Sequence, residues 1–176
     1  FGKKGKDAMY QLTDLFTLFH LRFVRRDSGQ DAHFWSNISD HTRDSWQGHA
    51  FEMLCLHHIP QIKNKLGISG ILANAFSWST PPKTDKDGGE WKGVQIDLLL
   101  ERADNTVSVC EIKYSKDLYA ITEAYDARVR ERMATFAHHT KTRCSLQCVF
   151  ITTFGLMRNA FYDNVQSEVV LDDLFC

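Results

Sequence analysis

The sequence predicts an α/β protein in which helices flank a mixed β-sheet. Apolar residues recur at helical intervals in three long stretches, and short β-branched or aromatic runs bounded by turn residues lie among them. Hydrophobic residues make up 43% of the 176 positions, which is enough to bury a sizeable core without disulfide staples. The segments follow in the order α, α, β, β, β, α, β, β, which is typical of helices layered on a sheet.

The first helix is expected over residues 8–24, where apolar side chains form one stripe and Thr13 or Asp14 is a candidate cap. The polar stretch that follows contains a glycine and indicates a loop or linker. We therefore divide the chain into an N-terminal helix with its linker, residues 1–33, and a main domain, residues 34–176.

The second helix is expected over residues 40–59, with Asp44 or Ser45 at its N-cap. Pro60 then breaks or kinks the helix, and a last helical turn ends at Gly67. Such a helix can pack directly onto the strands that follow it in the chain.

Two residues of this second helix indicate a polar site on its surface. Glu52 lies between apolar neighbours, where an acid is out of place unless it faces a polar site. Gly48, one turn earlier, costs roughly 1 kcal/mol relative to alanine in a helix, and is best tolerated where a close neighbour or ligand needs the space.

The strands begin after Gly67. Residues 68–80 are β-branched, aromatic and partly alternating, which favours a strand, and residues 81–93 form a turn-rich loop. The later segments are a hairpin over 94–115, a helix within 116–141 that carries an apolar stripe, a buried strand within 145–155, and a final short strand within 167–176.

The hairpin carries one carboxylate on each arm, Asp97 and Glu111. A three-residue turn, Ala103 to Asn105, would pair Arg102 with Thr106 and would place the two acids directly opposite each other, about 5 Å apart at Cβ. A two-residue turn would send Glu111 to the far face. A shared acidic site therefore predicts a turn of odd length.

Two facing carboxylates repel each other, so a neighbouring positive charge must offset them. Lys113 shares the strand face of Glu111 and can contribute one. Carboxylates together with a main-chain carbonyl are also the oxygen ligands that Mg²⁺ or Mn²⁺ prefers. The expected metal ligands are Asp97, Glu111 and the carbonyl of Ile112, with Glu52 as a further ligand.

Composition and charge narrow the function classes. The five cysteines are an odd number scattered through apolar stretches, and Cys144 and Cys148 would lie about 13 Å apart on a strand, so all are expected to be structural thiols. No apolar run approaches roughly 18 residues and no signal peptide is visible, so we expect a cytoplasmic protein without a membrane span. The sequence contains no phosphate-binding GxxxxGK[ST] loop, and ATP hydrolysis by this chain itself is not expected.

The set of Glu52 on a helix, Asp97 on one strand, and Glu111 and Lys113 in "EIK" on the next resembles the PD-(D/E)XK nuclease superfamily. The resemblance covers about residues 45–153 and implies a restriction-endonuclease-like fold with the core order α-β-β-β-α-β. One departure is that Ile96, not proline, precedes the first acid, which leaves the acid itself in place.

The resemblance implies a role for each of these residues in hydrolysing phosphodiester bonds of DNA. Asp97 and Glu111 would bind the divalent metal ion, and Lys113 would orient or activate the attacking water. Glu52 would assist through a second metal ion or through a water molecule on the first. The implied enzyme is a Mg²⁺-dependent deoxyribonuclease of the endonuclease type.

Within the superfamily, the whole chain resembles the nuclease-like domain at the C-terminus of a group of bacterial and archaeal ATPases of the AAA (STAND-like) type. The matching stretches are "YQLTDLFTLFHLRFV", "WQGHAFE", "EIKYSKDLYAIT" and "VQSEVVLDDLF". The resemblance implies that the first helix is the tail of a preceding winged-helix segment. It also implies that an ATPase lies upstream in the same polypeptide and is a partner of this domain.

A second interpretation is a catalytically silent nuclease-fold module that binds DNA or a partner and regulates the ATPase. The net charge of −1 provides no overall attraction to nucleic acid, and this keeps the second interpretation open. Arg128 and Arg132 share a helix face and are candidates for contacts with DNA phosphates. Because Asp126 and Glu131 are interspersed with them, a solvated helix face is an equal alternative.

Overall fold

The computed structural model describes residues 12–26, 33–84 and 90–176. Its helices are α1 (Leu15–Arg22), α2 (Phe34–Asn37), α3 (Asp40–His57), α4 (Ile59–Lys65) and α5 (Glu123–Thr140). Its strands are β1 (Ala73–Thr80), β2 (Lys83–Thr84), β3 (Glu90–Trp91), β4 (Val94–Arg102), β5 (Thr106–Lys113), β6 (Ser145–Thr152) and β7 (Ser167–Val170). The α/β class with a mixed sheet flanked by helices is thus confirmed.

Helix α1 begins after Asp14, whose carboxylate accepts a hydrogen bond from the main-chain N–H of Thr17 at 2.7 Å. Asp14 was one of the two expected caps, whereas residues 8–11 of the predicted helix lie outside the described residues. The rings of Phe19 and Phe23 contact Trp46 of α3, with centroids 5.6 and 5.4 Å apart. The division at residue 33 stays a prediction.

Helix α3 begins at Asp40, the first residue of its expected range 40–59, but its cap differs from the expected ones. The hydroxyl of Ser39 accepts a hydrogen bond from the N–H of Thr42 at 3.4 Å and caps the helix, so the expected caps Asp44 and Ser45 are wrong. Asp44 and Ser45 lie in the second turn of α3, since Ser39 already caps the helix one turn earlier. The expected break at Pro60 is confirmed, since this proline lies in the first turn of a separate helix, α4.

Five strands form the main sheet in the order β1-β4-β5-β6-β7, and β2 pairs with β3 in a small separate hairpin. Strand β4 is antiparallel to both β1 and β5, whereas β5, β6 and β7 run parallel. The first strand is shorter than predicted, and the predicted loop 81–93 contains the β2–β3 hairpin.

The fifth helix lies within its expected range of 116–141, and the chain before it pairs with the segment that follows β6. Tyr119 forms an isolated parallel bridge with Leu156, and Thr122 then caps α5 by accepting a hydrogen bond from the N–H of Tyr125 at 3.3 Å. Residues 116–122 are therefore not helical.

The β4–β5 hairpin has the predicted three-residue turn. Arg102 pairs with Thr106, and Asn105 takes up a φ of 59°, which an asparagine tolerates better than most residues. The prediction of an odd-length turn is confirmed. The pairing of these two strands continues as far as Leu98 and Cys110.

The helices cover both faces of the sheet. Phe51 and Cys55 of α3 pack with Leu98 and Ile112 on the face that we call the α3 face. Phe136 of α5 packs with a separate set of strand residues on the opposite face, the α5 face; this set includes Ile96, Leu99, Val107 and Val109.

All five cysteines are free thiols, as predicted. Burial raises the pKa of Cys55 and of Cys148 to about 12, so both remain protonated parts of the core. In the part of the chain that the structure describes, we find no helix with the length and apolar character needed to cross a membrane.

Candidate functional site

The site lies where strands β4 and β5 part. Their last pair is Leu98 with Cys110, although β4 extends back to Val94 and β5 continues to Lys113. We call this region the fork: β4 still pairs with β1 there and β5 with β6, but β4 and β5 no longer pair with each other. In the described residues, no other strand lies between the ends of β4 and β5 at the fork. A ligand can therefore approach there.

A bulge in β4 determines the direction of Asp97. Phe76 of β1 pairs with Leu99 and Trp78 pairs with Ile96, so β4 has one residue more than its partner in this interval. Ile96 and Leu99 both belong to the cluster on the α5 face. The extra residue therefore lies at Asp97 or its successor, and it turns the carboxylate of Asp97 toward the α3 face.

A cavity of about 470 Å³ on the α3 face brings most of the predicted residues together. We call it the α3 cavity. Glu52 of α3, Asp97 of β4 and Lys113 at the end of β5 all line it, together with Ile112. The remaining lining residues are Asp44, Gly48, Tyr114, Ser115 and Lys116.

Among the acids that line the α3 cavity, Glu52 is affected by the charge of Asp97. Burial raises the pKa of Glu52, and the nearby charge of Asp97 raises it further, while His49 and Lys113 act in the opposite direction. Asp97 accepts a hydrogen bond from the side-chain amide of Gln95 at 2.7 Å. Within the described ranges, neither Glu52 nor Asp97 forms an ion pair with lysine or arginine.

Glu111 has a different environment, since its side chain is only 4% exposed and bonds to α5. The hydroxyl of Tyr125 donates to Glu111 Oε2 at 2.5 Å. Nη1 of Arg132 donates to both carboxylate oxygens, at 2.9 and 2.7 Å. Charge-assisted bonds of this kind fix a buried carboxylate firmly.

The expectation that Asp97 and Glu111 face each other is therefore wrong for this structure, although the predicted turn is correct. The ladder ends one pair before these residues, and the β4 bulge directs Asp97 to the α3 face. Glu111 points to the α5 face, where Tyr125 and Arg132 hold it. Its role as a metal ligand stays a prediction.

The α3 cavity offers carboxylate oxygen atoms, which are the type of ligand that a hard divalent cation prefers. In the described part of the chain, Glu52 and Asp97 contribute carboxylates without a cationic partner in ion-pair contact, and Ile112 lines the same cavity. The residues described contain no group of three acidic, histidine or cysteine side chains that could hold a metal ion. A complete set of protein ligands would need Glu111 as well.

The two arginines expected to contact phosphates behave differently. Arg132 is bonded to Glu111, whereas Arg128 is exposed and lies over the ring of Tyr125, with its guanidinium carbon 4.9 Å from the ring centroid. The sequence pattern indicates Tyr125 only as a member of the apolar stripe of this helix and does not show the role of its hydroxyl. Its separation of seven residues from Arg132, which puts both on one helix face, was the available signal.

Gly48 borders the α3 cavity, and a Cβ built on it would meet no atom within 4 Å. The space that the sequence suggested for a close neighbour is thus open cavity and not a contact with another part of the protein. Nearby, Lys116 forms an ion pair with Asp44 at 2.7 Å and joins the segment after β5 to α3 at the rim.

Comparisons of the chain with models of known protein families, with curated proteins and with solved structures found no match. The case for a function therefore depends on the geometry of the α3 cavity and on the resemblance of its motif residues.

Proposed function

We propose that this protein hydrolyses phosphodiester bonds of DNA in a metal-dependent reaction of the endonuclease type. The observation that carries the proposal is the α3 cavity at the fork, where Glu52, Asp97 and Lys113 lie together although they come from three different elements. Two acids beside a lysine can hold a divalent cation and position a water molecule, which supports such a reaction.

Each residue has a distinct task in this proposal. Asp97, Glu52 and the carbonyl of Ile112 would hold Mg²⁺ or Mn²⁺, and Glu111 would complete the set. When bound, the cation would stabilise the negative charge that develops on the phosphate oxygens and make water a better nucleophile. Lys113 is positively charged and borders the same cavity, so it can orient the attacking water and neutralise charge on the phosphate.

The resemblance of the motif stretches also leads us to propose a setting for this activity. The chain would act in the cytoplasm as the C-terminal part of a larger ATPase, with DNA as its substrate. DNA contact would be local and salt-dependent, because the net charge of −1 gives no overall attraction.

Incubation with supercoiled plasmid and Mg²⁺ or Mn²⁺ tests the proposal. We expect nicked or linear plasmid from the unmodified protein, and a rate at least about 100-fold lower for Lys113→Ala and for Asp97→Asn. Lys92→Ala is a matched control, because Lys92 pairs with Glu131 at 3.3 Å and does not line the α3 cavity. Cleavage that is equal in all four proteins would refute this site.

A regulatory module without nuclease activity is the second candidate, and the bonding of Glu111 favours it. A carboxylate held by Tyr125 and Arg132 does not face the α3 cavity. This candidate predicts no cleavage with either cation, together with DNA binding that weakens as the salt concentration rises.

A further inference from the structure

Tyr125 and Arg132, which we call the α5 clamp, hold Glu111, the acid of the E-x-K motif Glu111-Ile112-Lys113. They make three hydrogen bonds to the carboxylate of Glu111, at 2.5, 2.7 and 2.9 Å. The Arg132 side chain is 29% exposed, so water can reach a guanidinium that leaves the carboxylate. The α5 clamp thus joins a buried acid to a partly exposed arginine.

The clamp also contacts the motif lysine. Nζ of Lys113 lies 5.1 Å from the ring centroid of Tyr125, within the range of a cation–π interaction. Burial, with the charge of Glu111, raises the pKa of Tyr125, so the hydroxyl stays protonated and remains a donor. One tyrosine thus contacts both charged residues of the E-x-K motif.

The position of Lys113 shows that the α5 side of β5 is open to the α3 cavity through the gap between β4 and β5. It shares the strand face of Glu111, and both contact Tyr125. Lys113 nevertheless lines the α3 cavity, because β4 and β5 no longer pair beyond Leu98 and Cys110. Glu111, two residues earlier in β5, lies beside the same gap between the two strands.

We propose that the α5 clamp keeps Glu111 away from the α3 cavity, and that a divalent cation bound by Glu52 and Asp97 competes with Arg132 for this carboxylate. Tyr125 and Arg132 are positioning residues that set how readily the third acid joins the cation. The proposal rests on the proposed function only in assuming a cation at the α3 cavity, and binding of that cation can be measured without DNA.

The direct test is Mn²⁺ affinity, measured by calorimetry on the unmodified protein and on Arg132→Gln. Removing the competing guanidinium is expected to tighten Mn²⁺ binding about tenfold, which is within the usual range for coupled sites. In a Glu111→Gln background, the same substitution is expected to have no effect, since the released group no longer carries a charge. Arg128→Gln is the matched control, because Arg128 lies over Tyr125 without bonding to Glu111, and a much smaller change is expected.

Tyr125→Phe covers the case in which Arg132→Gln fails to fold. It removes one hydrogen bond and no charge, and we expect tighter Mn²⁺ binding by about two- to threefold. Unchanged or weaker Mn²⁺ binding in these variants, no Mn²⁺ binding at all, or a gain that persists in the Glu111→Gln background would overturn the clamp. The expected binding pattern without plasmid cleavage would support the clamp and reject the nuclease, and plasmid cleavage without the pattern would do the reverse.

Discussion

Two pairs of acids, one on each side of the sheet, have opposite surroundings. Toward α5, Glu111 and Asp126 are buried, and each meets an arginine at 2.7 Å, Arg132 and Arg130 respectively. Toward α3, Glu52 and Asp97 border a cavity and, in the described ranges, lack such a partner. A buried charge needs a partner because desolvation is costly, whereas an acid at a cavity can keep water or take up a cation. Glu111 and Asp126 thus serve the structure of the α5 face, whereas Glu52 and Asp97 at the α3 cavity stay available to a cation.

The largest effect is expected on the α5 face. Arg132→Ala would leave Glu111 buried with one partner fewer, and breaking a buried pair from one side costs about 3 kcal/mol in the free energy of unfolding. Urea unfolding measures this. Lys92→Ala, which breaks the exposed pair with Glu131, is the control and is expected to change little. Equal losses in the two variants would mean that Glu111 does not depend on its arginine.

An effect of intermediate size is expected when a methyl group fills part of the α3 cavity. Gly48→Ala is expected to raise the free energy of unfolding by up to about 1 kcal/mol, because alanine is the better helix former and its methyl group would enter open space. The same methyl group would narrow the α3 cavity, so plasmid cleavage should become slower.

Gly67→Ala is the control for this change. Its surroundings are equally open, but its φ is +69°, a conformation that costs an alanine about 1 kcal/mol. We expect this variant to lose stability. A loss of stability in Gly48→Ala as well would show that the α3 cavity has no room beside the helix.

The smallest effect concerns pH. The pKa of Glu52 is raised in the folded protein from its ordinary value of 4.5, so the folded state binds this proton more tightly than the unfolded state does. The contribution of Glu52 to the free energy of unfolding is therefore lost as the pH rises from the ordinary pKa through the raised pKa. Glu52→Gln should remove the part of the decline in stability that this carboxyl causes. The measurement is the difference in unfolding free energy between the unmodified protein and the variant, from about pH 4 to about pH 7. Parallel pH profiles would contradict a raised pKa at Glu52.

Mg²⁺ should act on the same group in the opposite direction. A cation beside Glu52 and Asp97 favours the charged carboxylate, so it lowers the pKa of Glu52 and flattens the difference between the two pH profiles. Repeating the measurement with Mg²⁺ thus relates the pH dependence to the proposed metal site without any measurement of cleavage.

Local patterns were sufficient to predict much of the fold. The spacing of apolar residues indicated helices α3 and α5, and Pro60 marked the end of α3. The three-residue turn after Arg102 followed from the positions of the two acids and is confirmed. These features depend on neighbours in the sequence, and the physical rules for them are short-range.

The site was predictable only in part, because it depends on residues that are distant in the sequence. Glu52, Asp97 and Lys113 do line one cavity, but the side of the sheet that Glu111 faces was missed. The single extra residue in β4 is apparent only from pairing with β1, and it reverses the direction of the acid that follows Ile96. Alternation within one strand gives no sign of such a bulge.

The sequence by itself determined which residues carry charge and where the helices and the hairpin form. Only the tertiary structure decided which partner each charge meets. Strand alternation sends Glu111 to the α5 face, and there Tyr125 and Arg132, 14 and 21 residues further along the chain, enclose it. The reason is energetic, since a buried carboxylate takes the nearest donors that packing brings to it, and packing is a property of the whole chain.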